Sequence, residues 1–236
     1  MNFVISAENK KGRLDRFLFH NSFIGEFRPI SAVMGEDLPK SFLDSVFSAG
    51  FRDHFVKKYG DRALAGTVGC FLSHLKVHEA LLDTGSDYAV VCEDDALFSS
   101  RIPDEAFDAL DTYDMIYINR RMKVAGQEGR AGDYVVGLNA ENIAGVGGEG
   151  YIINRAACES IRYFFGSHGM VGLPCGFDGF LQSLCLRDGE VVDRPGKKKC
   201  LSAWRELLPF HLSVAALREG IVLHDDEGFS LIRAFS

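Results

Sequence analysis

The chain has 236 residues, of which 47% are hydrophobic and 25% are charged, and its formal net charge is −7. This length suits one α/β domain, and the negative charge argues against nucleic-acid binding, which normally requires a basic face. No stretch approaches the ~20 apolar residues of a membrane span, and the first six residues lack the positive segment of a secretory signal. The six cysteines show no C-x-x-C spacing, which predicts reduced thiols and a cytoplasmic protein.

The first part of the chain predicts alternating strands and helices. Residues 2–6 form a short apolar strand, and a helix with Arg13 and Arg16 follows without a G-x-G-x-x-G fingerprint. Both arginines either contact a diphosphate or form the solvated face of the helix, and the residues alone favour the solvated face. A second strand is expected over residues 27–33, and a helix over residues 38–47.

Thr67 is predicted to cap a long helix that runs to about Asp83. His74 and His78 lie four residues apart on this helix, a spacing at which two histidines can reach one zinc ion. However, Leu75 stands where a zinc protease would have a glutamate. We therefore expect hydrogen-bonded histidines at the edge of the core rather than a zinc site.

An apolar run over residues 88–92 leads directly into Glu93, Asp94 and Asp95. Such a run predicts an interior strand, and ligands of open α/β sheets bind at the carboxyl ends of strands. Neighbouring carboxylates raise one another's pKa unless a cation lies between them. The triplet therefore predicts a Mn²⁺ or Mg²⁺ ion that is held by oxygen ligands and binds a phosphate. The alternative, a helix cap or a solvated acidic loop, is equally compatible with the triplet alone.

The second half of the chain adds polar groups at further strand and helix ends. A strand over residues 114–119 ends at Asn119, and a strand over residues 221–223 leads into His224. Asp178 falls in the first turn of a helix, where the dipole favours a carboxylate even without a function.

Two segments of the second half suggest contacts with ligands. The glycine-rich segment 126–150, which includes Glu149, suggests a binding loop or lid. The basic run 194–199 is compatible with a phosphate site, with contact to anionic lipid or with a solvated turn. A short strand is expected over residues 190–193.

Two motifs lie about twenty residues apart: G-C-F-L-S-H-L over residues 69–75 and V-C-E-D-D over residues 91–95. Together they resemble glycosyltransferase family 25. The family's most specific signature is a G-C-x-x-S-H helix followed by a strand that ends in E-D-D. Looser similarities follow in the family's order over residues 4–16, 31–35, 150–157, 177–178 and 220–224. The chain departs from the pattern at Met34, where an acid or amide is usual, and at His224, where glutamine is usual.

The resemblance implies a single GT-A-like domain over residues 1–236, a Rossmann-type α/β/α sandwich with a mostly parallel central sheet. It also implies metal-dependent, inverting transfer of a hexose, typically galactose from UDP-galactose. The acceptor would be an oligosaccharide or glycolipid of lipopolysaccharide or another cell-surface glycan, reached from the cytoplasmic face of the membrane.

On this basis each candidate residue receives a role. Asp95 is the first choice for a metal ligand, Glu93 the second, and His224 a further one. Asp178 is the candidate general base, with Glu149 in reserve. The donor nucleotide-sugar would be bound by a set of polar residues and one glycine: Ser6, Arg13, Arg16, Gly35, Ser73, His74, Asp94 and Asn119. The alternatives are a metal-dependent phosphohydrolase of nucleotide-sugars and a catalytically silent carbohydrate-binding homologue.

Overall fold

The computed structural model describes residues 1–7, 11–125, 134–145, 147–190, 192 and 198–224. The strands are β1 (Asn2–Ser6), β2 (Arg28–Ser31), β3 (Tyr88–Glu93), β4 (Ala96–Phe98), β5 (Met115–Tyr117), β6 (Val135–Gly137), β7 (Gly150–Asn154), β8 (Val214–Leu217) and β9 (Val222–His224). The helices are α1 (Lys11–His20), α2 (Lys40–Val46), α3 (Ala49–Tyr59), α4 (Asp61–Leu82), α5 (Asp104–Asp108), α6 (Arg155–His168), α7 (Phe177–Ser183) and α8 (Lys198–Leu207).

Seven strands form one sheet in the order β2-β1-β3-β7-β5-β8-β6, and β4 pairs with β9 beside it. Strands β1, β2, β3, β5 and β8 run in one direction, whereas β7 and β6 run in the other. The predicted α/β class with a mostly parallel central sheet is therefore confirmed. In the parallel register of β1 and β3, Ile5 lies opposite Glu93, so both strands end at the same edge of the sheet.

Alternate residues of β3 pack into two different cores. Ala89 and Val91 belong to the core that contains α4 and α6, whereas Val90 and Cys92 belong to the core that contains Phe17 of α1. Because side chains of a strand alternate between faces, an interior strand covered on both sides must be apolar throughout. This explains the unbroken apolar run and confirms the sandwich of helices around the sheet.

Helix α4 begins at Asp61, six residues before the predicted cap at Thr67. Gly60 precedes the helix with φ +85°, a left-handed conformation that glycine adopts without strain. The Thr67 hydroxyl instead donates to the Ala63 carbonyl one turn earlier, at 2.9 Å. Threonine can satisfy its hydroxyl inside a helix in this way, so its cap-like appearance was misleading.

The remaining differences from the predicted elements are local. The second strand is shorter than residues 27–33, and the helix expected over residues 38–47 spans Lys40–Val46. Glu190 and Val192 are not in a strand, and residues 191 and 193 lie outside the described residues. The basic run 194–199 is described only from residue 198, where α8 begins.

The prediction of six reduced cysteines is wrong for one pair. Cys175 and Cys200 form a disulfide with a Cα–Cα distance of 6.1 Å, while the other four cysteines are free. The two residues meet because α7 and α8 pack together, a tertiary contact that cysteine spacing does not reveal. Among the helices described, none is long and apolar enough to cross a membrane.

Close packing joins α4 to the turn that follows β2. A Cβ atom on Gly69 would lie 2.4 Å from the Val33 carbonyl oxygen, and the Gly69 carbonyl accepts a hydrogen bond from the Ser73 hydroxyl at 2.7 Å. The same hydroxyl accepts the Val33 N–H at 2.8 Å. Ser73 and Gly69 therefore hold α4 against the end of β2, beside the carboxyl edge of the sheet.

We predict that Gly69→Ala lowers the free energy of unfolding by about 1–3 kcal/mol, because the added methyl group overpacks the backbone of the turn. Gly66→Ala on the same helix is the matched control, since a Cβ atom there meets nothing within 4 Å. The control should gain about 0.5–1 kcal/mol from the better helix propensity of alanine. Urea unfolding measures both variants, and equal effects would contradict the close contact.

Candidate active site

A cavity of about 560 Å³ lies at the carboxyl ends of β1 and β3. Three of the thirteen predicted site residues, Ser6, Arg16 and Asn119, do not line it. The other ten do: Arg13, Gly35, Ser73, His74, Glu93, Asp94, Asp95, Glu149, Asp178 and His224. The fold thus brings together residues that are more than 200 positions apart in the sequence.

Arg13 of α1 lies between two of the three acids that follow β3. Its Nη2 atom is 2.6 Å from Asp94 Oδ1 and 2.9 Å from Asp95 Oδ2. The Ser6 hydroxyl donates to Asp94 Oδ2 at 2.7 Å, as the parallel register of β1 and β3 allows. Ser6 therefore positions Asp94 from behind the cavity wall, and Arg13 supplies a positive charge to both aspartates.

Even with Arg13 present, the positive charge near Glu93, Asp94 and Asp95 does not offset the effect of burial on their pKa values. Burial raises the pKa of Asp94 although Arg13 opposes the shift. Burial and then the charge of Glu93 raise the pKa of Asp95, while His224 and Arg13 act in the opposite direction. Burial and then Asp94 raise the pKa of Glu93. A further cation at this edge of the sheet would favour the ionised form of all three acids.

His224 reaches the acids through the pairing of β9 with β4. Ala96, one residue after Asp95, lies opposite His224 in this antiparallel pair. As a result, His224 Nε2 lies 3.3 Å from Asp95 Oδ2. The neighbouring Asp225 and Asp226 lie outside the described residues.

Glu93, Asp95 and His224 offer ligand types suited to a Mn²⁺ or Mg²⁺ ion. Among the described residues, however, only Cys70, His74 and Glu93 have ligand atoms that all lie within 4.8 Å of one another. The Asp95 Oδ1 atom is buried and has no hydrogen-bond partner among the described residues. Hard divalent cations prefer carboxylate oxygens, and Mn²⁺ also accepts an imidazole nitrogen. The unpartnered carboxylate oxygen and the surplus of negative charge therefore fit such an ion.

His74 and His78 do not converge on one metal ion. The Tyr151 hydroxyl lies between them, 3.0 Å from His74 Nδ1 and 2.9 Å from His78 Nε2. Both rings are buried, and burial lowers the pKa of each histidine to about 3, which keeps the imidazoles neutral. The expectation of hydrogen-bonded histidines at the edge of the core is confirmed.

Sequence reasoning did not single out Cys70, which lies on α4 and contacts Glu93 together with His74. Cys70 lies one turn before His74, and its Sγ atom is 3.9 Å from Glu93 Oε1. His74 Nε2 lies 3.3 Å from the same oxygen. The signal was the C-x-x-x-H spacing, which places both side chains on one face of a helix.

The cavity also carries Glu149 and Asp178, and Glu149 lies beside Glu93, whose N–H donates to the Glu149 carbonyl at 3.4 Å. Glu149 is 2% exposed; its Oε2 atom is 3.4 Å from Arg121 Nη1, and its Oε1 atom has no partner among the described residues. Burial raises the pKa of Glu149 to about 8. Asp178 is half-buried in the first turn of α7 and accepts a hydrogen bond from the Gly148 N–H. Burial and then Glu93 raise its pKa.

Asn119 holds this part of the cavity wall in place from behind. Its Nδ2 atom donates to the carbonyls of Gly147 and Gly150, and its Oδ1 atom accepts the Met122 N–H. Arg121, which sequence reasoning assigned no role, lines the cavity two residues further along. The polar exit of β5 thus contributes a positioning amide and a cavity cation.

The predicted lid over residues 126–150 falls partly outside the described residues, at 126–133 and 146. Within the described part, residues 135–137 form the edge strand β6. Gly148 and Glu149 line the cavity. The end of the glycine-rich segment is therefore a wall of the cavity.

A Rossmann-like α/β sandwich with an acidic cavity at the carboxyl ends of its strands is typical of ligand-binding α/β proteins. The sequence model of glycosyltransferase family 25 (LPS biosynthesis protein) matches residues 1–161. The chain therefore belongs to glycosyltransferase family 25, and the resemblance is confirmed. The match ends before Asp178 and His224, so these two cavity residues lie outside it.

Part of the chain is similar to two mammalian proteins. Human procollagen galactosyltransferase 2 is 32% identical over 140 residues, which cover 53% of this chain and 22% of that protein. A rat protein described as probable inactive glycosyltransferase 25 family member 3 is 31% identical over 134 residues, 50% of this chain and 22% of that protein. The chain thus matches about a fifth of the length of these relatives. The crystal structure of A197 from STIV gives a TM-score of 0.39 at 12% identity over 100% of this chain and 90% of that chain, which is too low to indicate a shared fold.

We predict that Glu149 makes the protein less stable as pH rises. Its folded-state pKa of about 8 lies above the model-compound value of 4.5, so ionisation between these values disfavours the folded state. Glu149→Gln should therefore gain about 2 kcal/mol or more over the wild type between about pH 5 and about pH 9.

Urea unfolding at both pH values measures this difference, and the exposed Glu141→Gln is the control. A stability difference between Glu149→Gln and the wild type that does not change with pH would contradict the raised pKa.

Proposed function

We propose that this chain is a metal-dependent, inverting glycosyltransferase that moves a hexose, galactose, from a UDP-sugar to a hydroxyl group of an acceptor glycan. The observation that carries the proposal is the cavity, which is lined by the neighbouring pair Asp95 and His224 and also by Glu149 and Asp178. Membership of glycosyltransferase family 25 supports the reaction class, and the name of the human relative supports galactose.

The donor diphosphate would bind at the end of β3. Glu93, Asp95 and His224 would hold a Mn²⁺ or Mg²⁺ ion, which when bound supplies positive charge to the departing diphosphate. Arg13 holds Asp94 and Asp95 in fixed positions and adds its own charge to the cavity wall. With Asp94 engaged by both Arg13 and Ser6, Asp95 is the acid with an oxygen available for the ion.

Asp178 is the group assigned to remove the proton from the acceptor hydroxyl. A general base must be ionised at the working pH, and the pKa of about 8 keeps Glu149 protonated near neutrality. Glu149 then donates a hydrogen bond to a sugar hydroxyl, while the Gly148 N–H stabilises the ionised Asp178. One base and one direct displacement invert the configuration of the transferred sugar.

For the acceptor we propose an oligosaccharide or glycolipid of the cell envelope, modified at the cytoplasmic face of the membrane. The description of the matching family as an LPS biosynthesis protein supports this class of acceptor. A UDP-hexose panel with Mn²⁺ and envelope lipooligosaccharide as the acceptor tests donor and acceptor together. The products separate the alternatives: a transferase releases UDP and extends the glycan, whereas a nucleotide-sugar phosphohydrolase releases UMP and hexose phosphate without an acceptor.

We predict that Asp178→Asn lowers the turnover number for transfer by about 10²-fold or more, because the base is lost. Donor binding should change little, because Asp178 is not among the residues assigned to the donor diphosphate and its ion. Asp104→Asn is the matched control, because Asp104 is an exposed acid in the first turn of α5. It removes the same charge from a helix start and should leave turnover unchanged.

Initial rates and calorimetric titration with UDP measure both properties. Near-normal turnover of Asp178→Asn would exclude Asp178 as the base, and a joint loss of UDP binding would make its role structural. Metal-dependent UDP binding by a wild-type protein that turns over no member of the donor panel would contradict the proposed activity and favour a silent homologue.

A further inference from the structure

We propose that Cys70, His74 and Glu93 form a separate metal site that binds a thiophilic divalent ion, Zn²⁺, at the wall of the cavity. The zinc site depends only on the geometry of these three side chains. Its effect on transfer rests on the proposed function, because Glu93 would be shared with the Mn²⁺ or Mg²⁺ ion of that reaction.

The ligand atoms lie close to the mutual distances that a zinc ion requires. One ligand atom from each residue lies within 4.8 Å of the other two. His74 Nε2 and Cys70 Sγ lie 3.3 Å and 3.9 Å from Glu93 Oε1. Zinc bonds of about 2.0–2.3 Å in a tetrahedron place ligand atoms about 3.3–3.8 Å apart. Side-chain rotations that move the ligand atoms by up to about 1 Å therefore suffice to complete the site.

Two different elements contribute the ligands. Cys70 and His74 lie one turn apart on α4, so both side chains leave the same face of the helix. Glu93 ends β3 and approaches this face from the sheet. The pair His74 and His78 has the same spacing, but the Tyr151 hydroxyl occupies the space between those two rings. Cys70 is consequently the second ligand that α4 offers.

The surroundings orient His74 as they do in known metal sites, where the second ring nitrogen is usually hydrogen-bonded. His74 Nδ1 bonds to the Tyr151 hydroxyl, which also contacts His78 Nε2 at 2.9 Å. When His74 Nδ1 donates to Tyr151, the hydroxyl donates to His78, and the lone pair of His74 Nε2 is left for a metal. Phe177 fixes the plane of the ring by stacking on it at 4.1 Å and 11°.

The chemistry of the ligands determines which ion binds. Thiolate and imidazole favour zinc, whereas Mg²⁺ and Mn²⁺ favour oxygen ligands. Three protein ligands leave a fourth position open, and all three residues line the cavity, so this position is accessible to water or a phosphate oxygen. A zinc ion here would withdraw Glu93 from the ion that Asp95 holds, and we expect it to inhibit transfer.

Titration of the purified chain with Zn²⁺ or Co²⁺ alone, without nucleotide, tests the site directly. Bound Co²⁺ should show a sulfur-to-cobalt charge-transfer band. Cys70→Ser should abolish this band and lower the Zn²⁺ affinity at least about tenfold. Cys158→Ala is the control, because Cys158 is a buried free thiol on α6 outside the cavity. Unchanged Zn²⁺ affinity in Cys70→Ser, or equal losses in both variants, would overturn the inference.

A second measurement uses only the wild-type chain and so does not depend on the folding of a variant. Cys70 is partly exposed, whereas the free thiols of Cys92, Cys158 and Cys185 are buried. Zn²⁺ should slow the alkylation of Cys70 by iodoacetamide by roughly tenfold or more, because a metal-bound thiolate is not a free nucleophile. Mg²⁺ should not slow it. Equal alkylation rates with Zn²⁺ and with Mg²⁺ would overturn the inference.

The link to transfer has its own readout. For each protein, the half-inhibitory Zn²⁺ concentration is the one that halves its own uninhibited transfer rate in the presence of Mn²⁺. This concentration should be at least about tenfold higher for Cys70→Ser than for the wild type. An unchanged half-inhibitory concentration would refute the link. If the wild-type chain transfers no sugar, the proposed function fails, and the Zn²⁺ and Co²⁺ titrations still decide the metal site.

Discussion

The enclosure of negative charge at the end of β3 is the constraint on which the rest of the site depends. Burial raises the pKa of five carboxylates that line one cavity: Glu93, Asp94, Asp95, Glu149 and Asp178. One arginine of α1 and one after β5 offset part of this charge. Such an arrangement destabilises the folded protein, and it persists where a cationic or phosphate-bearing ligand requires it.

The cavity separates tasks by the environment of each acid. Asp94 has both carboxylate oxygens engaged by Ser6 and Arg13 and therefore acts as a structural element of the wall. Asp95 keeps one buried oxygen without a protein partner. Glu93 contacts the thiol and imidazole of α4, so it would be shared between the proposed site for a hard ion and the proposed site for a thiophilic ion. Three consecutive residues thus acquire three different roles.

Much of this arrangement followed from local sequence signals. The apolar run before Glu93 predicted an interior strand, and the rule that ligands bind at strand ends placed the acids in a site. The parallel pairing of β1 with β3, which brings Ser6 to Asp94, was not predicted, because the sheet class does not give the order of the strands. Contacts that depend on how a helix is rotated or docked could not be predicted, as shown by Arg13, by Cys70 and by the disulfide between α7 and α8.

The central claim is that Asp95 binds a divalent ion that in turn binds the donor diphosphate. Calorimetric titration of UDP into the wild-type chain and Asp95→Asn, each with Mn²⁺ and then with a chelator, tests it most directly. The account predicts that the wild-type chain binds UDP at least about tenfold more tightly with Mn²⁺, and that Asp95→Asn loses this difference while remaining folded. Equal UDP affinity with and without Mn²⁺ in the wild type, or an unchanged Mn²⁺ effect in Asp95→Asn, would contradict it.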